Sequence, residues 1–276
     1  MNKVAFIGAG NMARAIIIGL VNSGIDAKNI IVANPSPDKR LLLANEFGVQ
    51  QTDDNIIAAT FADVIVLSVK PHFISDVSQQ ISQAINISDK LFISVAAGRT
   101  VAQIQQALVS ESKHNNTKAS PVVRVMPNTP SQLGLGMSGL FASKEVTAEQ
   151  KASSEKIMTA VGKIIWLDSE AKINDIIAVA GSAPAYFFLF MEAMEQHAQT
   201  LGFTKEESRM LVEQTALGSA QMVAHSKEEI SQLRENVTSK GGTTFAALEQ
   251  FRSDDLKKIV ENAMNAAINR AEEMAK

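Results

Sequence analysis

Apolar residues in the first half of the chain come in two rhythms. Short, near-continuous β-branched runs occupy Val4–Ile7, Ile30–Val32, Val64–Val69, Leu91–Val95 and Val122–Val125. Between them lie segments with helical spacing, such as Met12–Asn22, Pro37–Phe47 and Val101–Leu108. Strands apolar at nearly every position are covered on both faces, and their alternation with helices predicts a mostly parallel sheet. A further strand pair is expected at Gly136–Phe141 and Lys163–Leu167, with a helix at Ala148–Val161 between them. After Asp168 the β pattern stops. Helices are expected at Lys172–Val179, Ala185–Leu201, Lys205–Ala224, Ile230–Asn236, Phe245–Phe251 and Leu256–Ala275. The change in character places a domain boundary at 168, giving an α/β part at 1–168 and an all-helical part at 169–276.

Phe187, Phe188, Leu189, Phe190 and Met191 cover more than one face of their helix. A helix apolar all round must be buried on all sides. The helical part is short, so a second subunit is expected to cover it. The uncharged stretch Ile176–Met191 falls short of the ~20 apolar residues of a spanning helix. Gly181-Ser182 and Pro184 interrupt it, so it reads as the end of one buried helix and the start of another, with no membrane association. Val4–Ile7 is too short a run for a signal peptide. A cytoplasmic protein is the expectation.

Composition narrows the chemistry by exclusion. Lys plus Arg total 26 and Asp plus Glu 29, a net charge of -3, so no basic excess exists to coat a nucleic acid. The absence of cysteine excludes a disulfide scaffold, a thiolate zinc site and a cysteine nucleophile. His72, His114, His197 and His225 share no metal-ligand spacing, and no metal is expected. His114 falls in the polar run Glu111–Lys118, which reads as an exposed loop.

Gly8-Ala9-Gly10-Asn11-Met12-Ala13 fits the G-x-G-x-x-G/A fingerprint and sits between a strand and an amphipathic helix. Gly8 permits the tight turn, Gly10 lets the backbone approach a pyrophosphate, and Ala13 is small where helix meets strand. The amides of Asn11 and Met12 at the helix start meet the phosphate charge. The α/β part is therefore a Rossmann-type dinucleotide-binding domain. An NAD site places Asp or Glu near the end of the second strand. Here that strand ends in Asn34-Pro35-Ser36, with Lys39 and Arg40 following. Asn34 and Ser36 can donate hydrogen bonds, and no carboxylate stands there to repel a 2′-phosphate. NADPH is predicted, with NADH as the weaker cofactor. Ser36 also fits a plain helix cap before Pro37.

Open α/β sheets bind ligands beyond the carboxyl ends of their strands. Those ends read Val69-Lys70-Pro71, Ala96-Ala97-Gly98 and Met126-Pro127-Asn128-Thr129-Pro130. The small residues let a flat ring lie close. Lys70 fits a general acid, but its place before a proline favours a backbone role. Asn55 either faces the nucleotide or caps its helix. Further on, Gly241-Gly242-Thr243-Thr244 opens a helix whose free N–H groups form an anion site suited to a carboxylate.

The segment Val237–Leu248 resembles the signature of pyrroline-5-carboxylate reductases, and the resemblance spans essentially the whole chain. It includes the glycine turn, Val69–Pro71, Ser94–Gly98, Arg124–Pro130 and Gly181–Tyr186. It implies hydride transfer from NADPH to the C=N bond of 1-pyrroline-5-carboxylate, giving L-proline. It implies that Ser239, Gly241, Gly242, Thr243 and Thr244 hold the cyclic imine acid, with Thr244 near the ring nitrogen. Because a threonine hydroxyl cannot strongly protonate an imine at neutral pH, that role is orientation or proton relay. Asn128, in the Arg124–Pro130 match, joins the residues expected at the cofactor. The resemblance further implies a homodimer with intertwined helical domains, assembling into rings as large as a decamer. In it, the loop of one subunit serves the nucleotide of the other. Lys240, Ala183 and Arg99 depart from the family pattern, Lys240 within the substrate loop. Two rival readings are a reductase of a related cyclic imine acid and a non-catalytic NADP-binding sensor. A β-hydroxyacid dehydrogenase is disfavoured, because the helix Ala185–Gln199 lacks lysine.

Overall fold

The computed structural model describes residues 3–109 and 119–275, with side chains through 273. The expected loop Glu111–Lys118 with His114 lies outside the described residues. The chain forms two compact units, Met1–Ser182 with Ala267–Lys276, and Ala183–Ala266.

The first unit is built on one sheet. In chain order come β1 (Val4–Ile7), α1 (Asn11–Asn22), β2 (Ile30–Ala33), α2 (Pro37–Phe47), β3 (Gln50–Thr52), α3 (Asn55–Phe61) and β4 (Val64–Leu67). Then follow α4 (Ile74–Ala84), β5 (Leu91–Ser94), α5 (Val101–Val109), β6 (Val122–Met126), β7 (Gly136–Ala142), α6 (Ala148–Thr159) and β8 (Gly162–Trp166). The sheet order is β3-β2-β1-β4-β5-β6-β7-β8. Every neighbouring pair is parallel except β6 with β7, which run antiparallel.

The near-continuous apolar strands are explained by two cores. Val4 and Phe6 of β1 join Ile16, Ile17 and Leu20 of α1 on one face. Ala5 and Ile7 join Ile65, Leu67 and Phe92 on the other. All four residues of β1, β2, β4 and β5 are buried. β3 has no such signal, being the polar Gln50-Gln51-Thr52 at the sheet edge, paired to β2 through its backbone. The strand order reverses between β1 and β4, and open α/β sheets take ligands beyond the carboxyl ends of the strands at such a switch point.

Beyond β8 the chain turns helical. α7 (Lys172–Ile176) runs into a π-helical turn at Ile177–Gly181, then α8 (Ala183–Thr200). The remaining helices are α9 (Lys205–His225), α10 (Ile230–Asn236), α11 (Thr243–Ser253) and α12 (Leu256–Ala275). The expected end of one helix and start of another across 176–191 is seen, with the π turn closing at Gly181 and α8 starting at Ala183, but the expected burial of α8 is absent in the single chain. The path from Lys172 to Thr200 is long and apolar enough to cross a membrane by length and composition, and little of it is buried. Pro184 falls in the first turn of α8, where a missing N–H costs no bond within that helix. α9 packs along α8, yet Phe187, Phe188 and Leu189 remain 69%, 62% and 67% exposed.

Candidate active site

Two helices in this chain open in the same way. α1 begins after Gly10, at φ -77° and ψ 178°, with no capping side chain and no acid in its first turn. α11 begins after Gly242, at φ -81° and ψ 178°, again with neither. The first intrahelical bonds are Arg14 N to Gly10 O at 2.9 Å and Ala246 N to Gly242 O at 3.1 Å. The three amides ahead of each bond therefore precede the helical ladder: Asn11, Met12 and Ala13 in α1, and Thr243, Thr244 and Phe245 in α11. Free amides at the positive end of a helix dipole attract anions. Contrast α3, where Asp54 accepts from Ile56 and Ile57, or α9, where Thr204 and Glu207 form a capping box. Those starts carry their own acceptors.

The glycine turn of α1 is seated on the end of β4. Ser68 N donates to Ile7 O at 2.9 Å, and Ser68 Oγ lies 3.0 Å from the carbonyls of both Ile7 and Gly8. Gly8 has φ +108°, and a Cβ there would come within 2.8 Å of Ser68 O. Gly10 has an ordinary φ, and its added Cβ would meet nothing nearer than Ser68 O at 3.9 Å. Gly8 is thus required by the protein's own backbone. Gly10 leaves open space of the kind a pyrophosphate needs against a helix start. Ala13 is fully buried against the strand layer.

Asn34 follows β2 and reaches across to the turn. Its Oδ1 accepts from Ala9 N at 3.3 Å, and its Nδ2 donates to Ser36 O at 3.1 Å. Ser36 holds the cap position of α2 but makes no capping bond through its hydroxyl. Of the two cations in the first turns, Arg40 is committed: Nε donates to Gln51 at 2.7 Å, and Nη1 lies 3.4 Å from the carbonyls of Asn34 and Pro35. Lys39 is exposed. The site matches a 2′-phosphorylated nucleotide by its chemistry, with a hydroxyl, an amide and a lysine where a carboxylate would exclude one.

Around the other strand ends the predicted residues divide. Lys70 is exposed and precedes the turn Pro71–Phe73. Val69 and Ala97 are half-buried, Ala96 is buried, and Gly98 turns the chain with φ +74°. Asn55 is the first residue of α3, the cap being Asp54, and its Nδ2 bonds Gln80 Oε1 at 3.1 Å. Asn128 is 9% exposed with both ends used. Its Oδ1 accepts from Met137 N at 2.9 Å, and its Nδ2 donates to the carbonyl of Ala180 at 3.1 Å. Pro184 has no amide hydrogen to offer that preceding helical turn. Asn128 supplies one, a role that the motif around it did not disclose.

The second uncapped helix start follows an exposed turn. Gly242 N bonds Ser239 O at 3.0 Å, Gly241 takes φ +70°, and Ser239, Lys240, Thr243 and Thr244 are exposed. Among the described residues no cluster of metal-ligating side chains occurs.

Comparison with known proteins gives the chain a family. Residues 170–274 match the family model described as pyrroline-5-carboxylate reductase dimerisation. Residues 3–98 match one described as NADP oxidoreductase, coenzyme F420-dependent. A pyrroline-5-carboxylate reductase of Vibrio alginolyticus is 55% identical over 99% of this chain and 98% of its own length. The chain belongs to the pyrroline-5-carboxylate reductase family. A solved member from Coxiella burnetii superposes with a TM-score of 0.92 at 44% identity, covering 100% of this chain and 99% of that one. One from Plasmodium falciparum, solved with NADP bound, gives 0.85 at 29% identity, covering 100% and 98%. The fold is accordingly the parallel-sheet dinucleotide-binding type followed by a helical dimerisation segment.

Proposed function

We propose that this chain reduces the C=N bond of 1-pyrroline-5-carboxylate with NADPH, yielding L-proline. The observation that carries the reading is the pair of glycine-opened, uncapped helix starts in a member of this family. One suits a diphosphate and the other a carboxylate. In this reading residues 1–168 hold the nucleotide and 169–276 serve dimerisation and substrate. NADPH, when bound, supplies the hydride for the imine carbon.

The chain's own residues do the rest. Gly8, Gly10, Asn11, Met12 and Ala13 receive the pyrophosphate, and Asn34, Ser36 and Lys39 the adenosine end. Val69, Lys70 and Pro71, through their backbone, line the nicotinamide side with Ala96, Ala97 and Gly98. Asn55 and Asn128 act there through the segments that they brace. Ser239, Gly241, Gly242 and Thr243 fix the carboxylate, which orients the C=N carbon. Thr244 Oγ1 holds the ring nitrogen or passes it a proton from water, because an aliphatic hydroxyl is too weak an acid to protonate an imine strongly at neutral pH. Holding two reactants in register can supply about 7–11 kcal/mol of the barrier.

The exposed apolar face of α8 and the dimerisation match over 170–274 support a homodimer with intertwined helices. They also favour a partner subunit over a bilayer as its cover. Rings up to a decamer and a cytoplasmic location, with no nucleic-acid or membrane partner, belong to the same proposal. Its test follows NADPH absorbance with pyrroline-5-carboxylate, with a six-membered imine acid and NADH as controls. Oxidation of NADPH with the five-membered acid is expected. A preference for NADH of about tenfold or more, equivalent to 1.4 kcal/mol, overturns the cofactor assignment. NADPH binding without oxidation in the presence of substrate overturns the enzyme.

A further inference from the structure

Arg124 on β6 is 3% exposed, and its Nη1 lies 3.0 Å from Glu170 Oε1. Its Nε is buried and has no partner among the described residues. The same Glu170 oxygen accepts the amide hydrogen of Val101 at 2.8 Å. Such a pair contributes little net stability, because desolvating both ions offsets their attraction, and apolar residues of similar volume often serve as well. Its use is better sought in what it holds.

Val101 opens α5. Thr100 and Gln103 already cap this start reciprocally: Thr100 N donates to Gln103 Oε1 at 3.0 Å and Gln103 N to Thr100 Oγ1 at 3.2 Å. Ile104 N closes the first helical bond on Thr100 O at 3.1 Å. The Val101 amide is left over, and Glu170 takes it from 69 residues away. A carboxylate there also faces the positive end of the helix dipole. Directly before α5 runs the Ala96–Gly98 turn. Beyond that turn, Arg99 Nε donates to Pro71 O at 3.0 Å in the neighbouring strand-end turn. The stretch 96–101 is therefore fixed at two points, to β6 through Glu170 and to the end of β4 through Pro71.

We propose that Glu170 is a positioning residue for the cofactor: the oxygen shared by Arg124 and Val101 sets the height of the Ala96–Gly98 turn, and with it where the nicotinamide rests. This rests on the NADPH reading given above. Glu170 takes no part in hydride or proton transfer. Arg124 acts only by holding the carboxylate in one place.

The test compares the full-length protein with Glu170→Ala, with Glu170→Ala/Arg124→Met and with Glu170→Gln/Arg124→Met. Tm, NADPH Kd by fluorescence, and KM for each substrate are measured. Glu170→Ala strands the Arg124 charge, so Tm falls. The Kd and KM for NADPH rise about tenfold, while KM for the imine acid stays within about twofold. Arg124→Met removes the stranded cation and restores Tm in both double variants. Only the glutamine double variant keeps an acceptor for Val101 N, and only there does NADPH affinity return to within about threefold. Recovery of NADPH affinity in both double variants overturns the proposal, as does a change in Tm alone. Should Glu170→Ala fail to fold, the two double variants still decide. A parent protein that binds no NADPH overturns the reading beneath, and is seen before any variant is made.

Discussion

Single residues separate what the fold needs from what a ligand needs. Gly8→Ala forces a methyl group to 2.8 Å from a backbone carbonyl at φ +108°, so it should cost about 1–3 kcal/mol of stability. Gly10→Ala meets no protein atom closer than 3.9 Å. It should leave the urea midpoint near that of the parent while weakening NADPH binding at least about tenfold. If both variants lose only stability, the turn does not bind phosphate. Thr244 is exposed, and its hydroxyl has no hydrogen-bond partner among the described residues. Thr244→Ala should lower kcat about ten- to hundredfold with NADPH Kd unchanged. Unaltered turnover removes the role assigned to its hydroxyl. The fingerprint residues were legible in the sequence because their chemistry is local. The commitment of Asn34 to Ala9 and of Arg40 to Gln51 was not, since each bond crosses to a different turn or strand.

At the scale of elements, the helix starts carry most of the information. Where a capping side chain is present, the start is self-contained. Where glycine stands alone, an anion can complete it. The strands and long helices could be read from periodicity, with the polar edge strand β3 passed over because pairing by backbone alone leaves no apolar pattern. The π turn at Ile177–Gly181 had no signal of its own. It is read only with the carbonyl of Ala180 held by Asn128 and the Ser182 amide bonded to Ile177 O at 2.7 Å. Asn128→Ala would leave that carbonyl and the Met137 amide without partners. A loss of about 2–4 kcal/mol in urea unfolding is expected. Asn128→Asp keeps the acceptor for Met137 but turns a buried carboxylate oxygen toward the Ala180 carbonyl, so it should lose at least as much as Asn128→Ala. Equal stability of the parent and the alanine variant would dismiss this clamp.

At the scale of the whole molecule, the question is what covers α8. Its phenylalanines and Leu189 are exposed in the single chain, and a charged residue among them should block assembly. Leu189→Glu is expected to shift the mass in light scattering from dimer or larger to monomer and to abolish turnover. NADPH binding by the first unit should persist. An active monomer would refute the need for two copies. The sequence by itself determined the alternation of strands and helices, the place of the glycine turn, the missing carboxylate after β2 and the family. All of these are properties of neighbours along the chain, where spacing and residue type are enough. Only the tertiary structure decided which polar side chains are already spoken for. Asn128, Arg40, Arg124 and Glu170 look alike as letters, and a hydrogen bond between distant segments forms or fails within a few tenths of an ångström that no spacing rule carries.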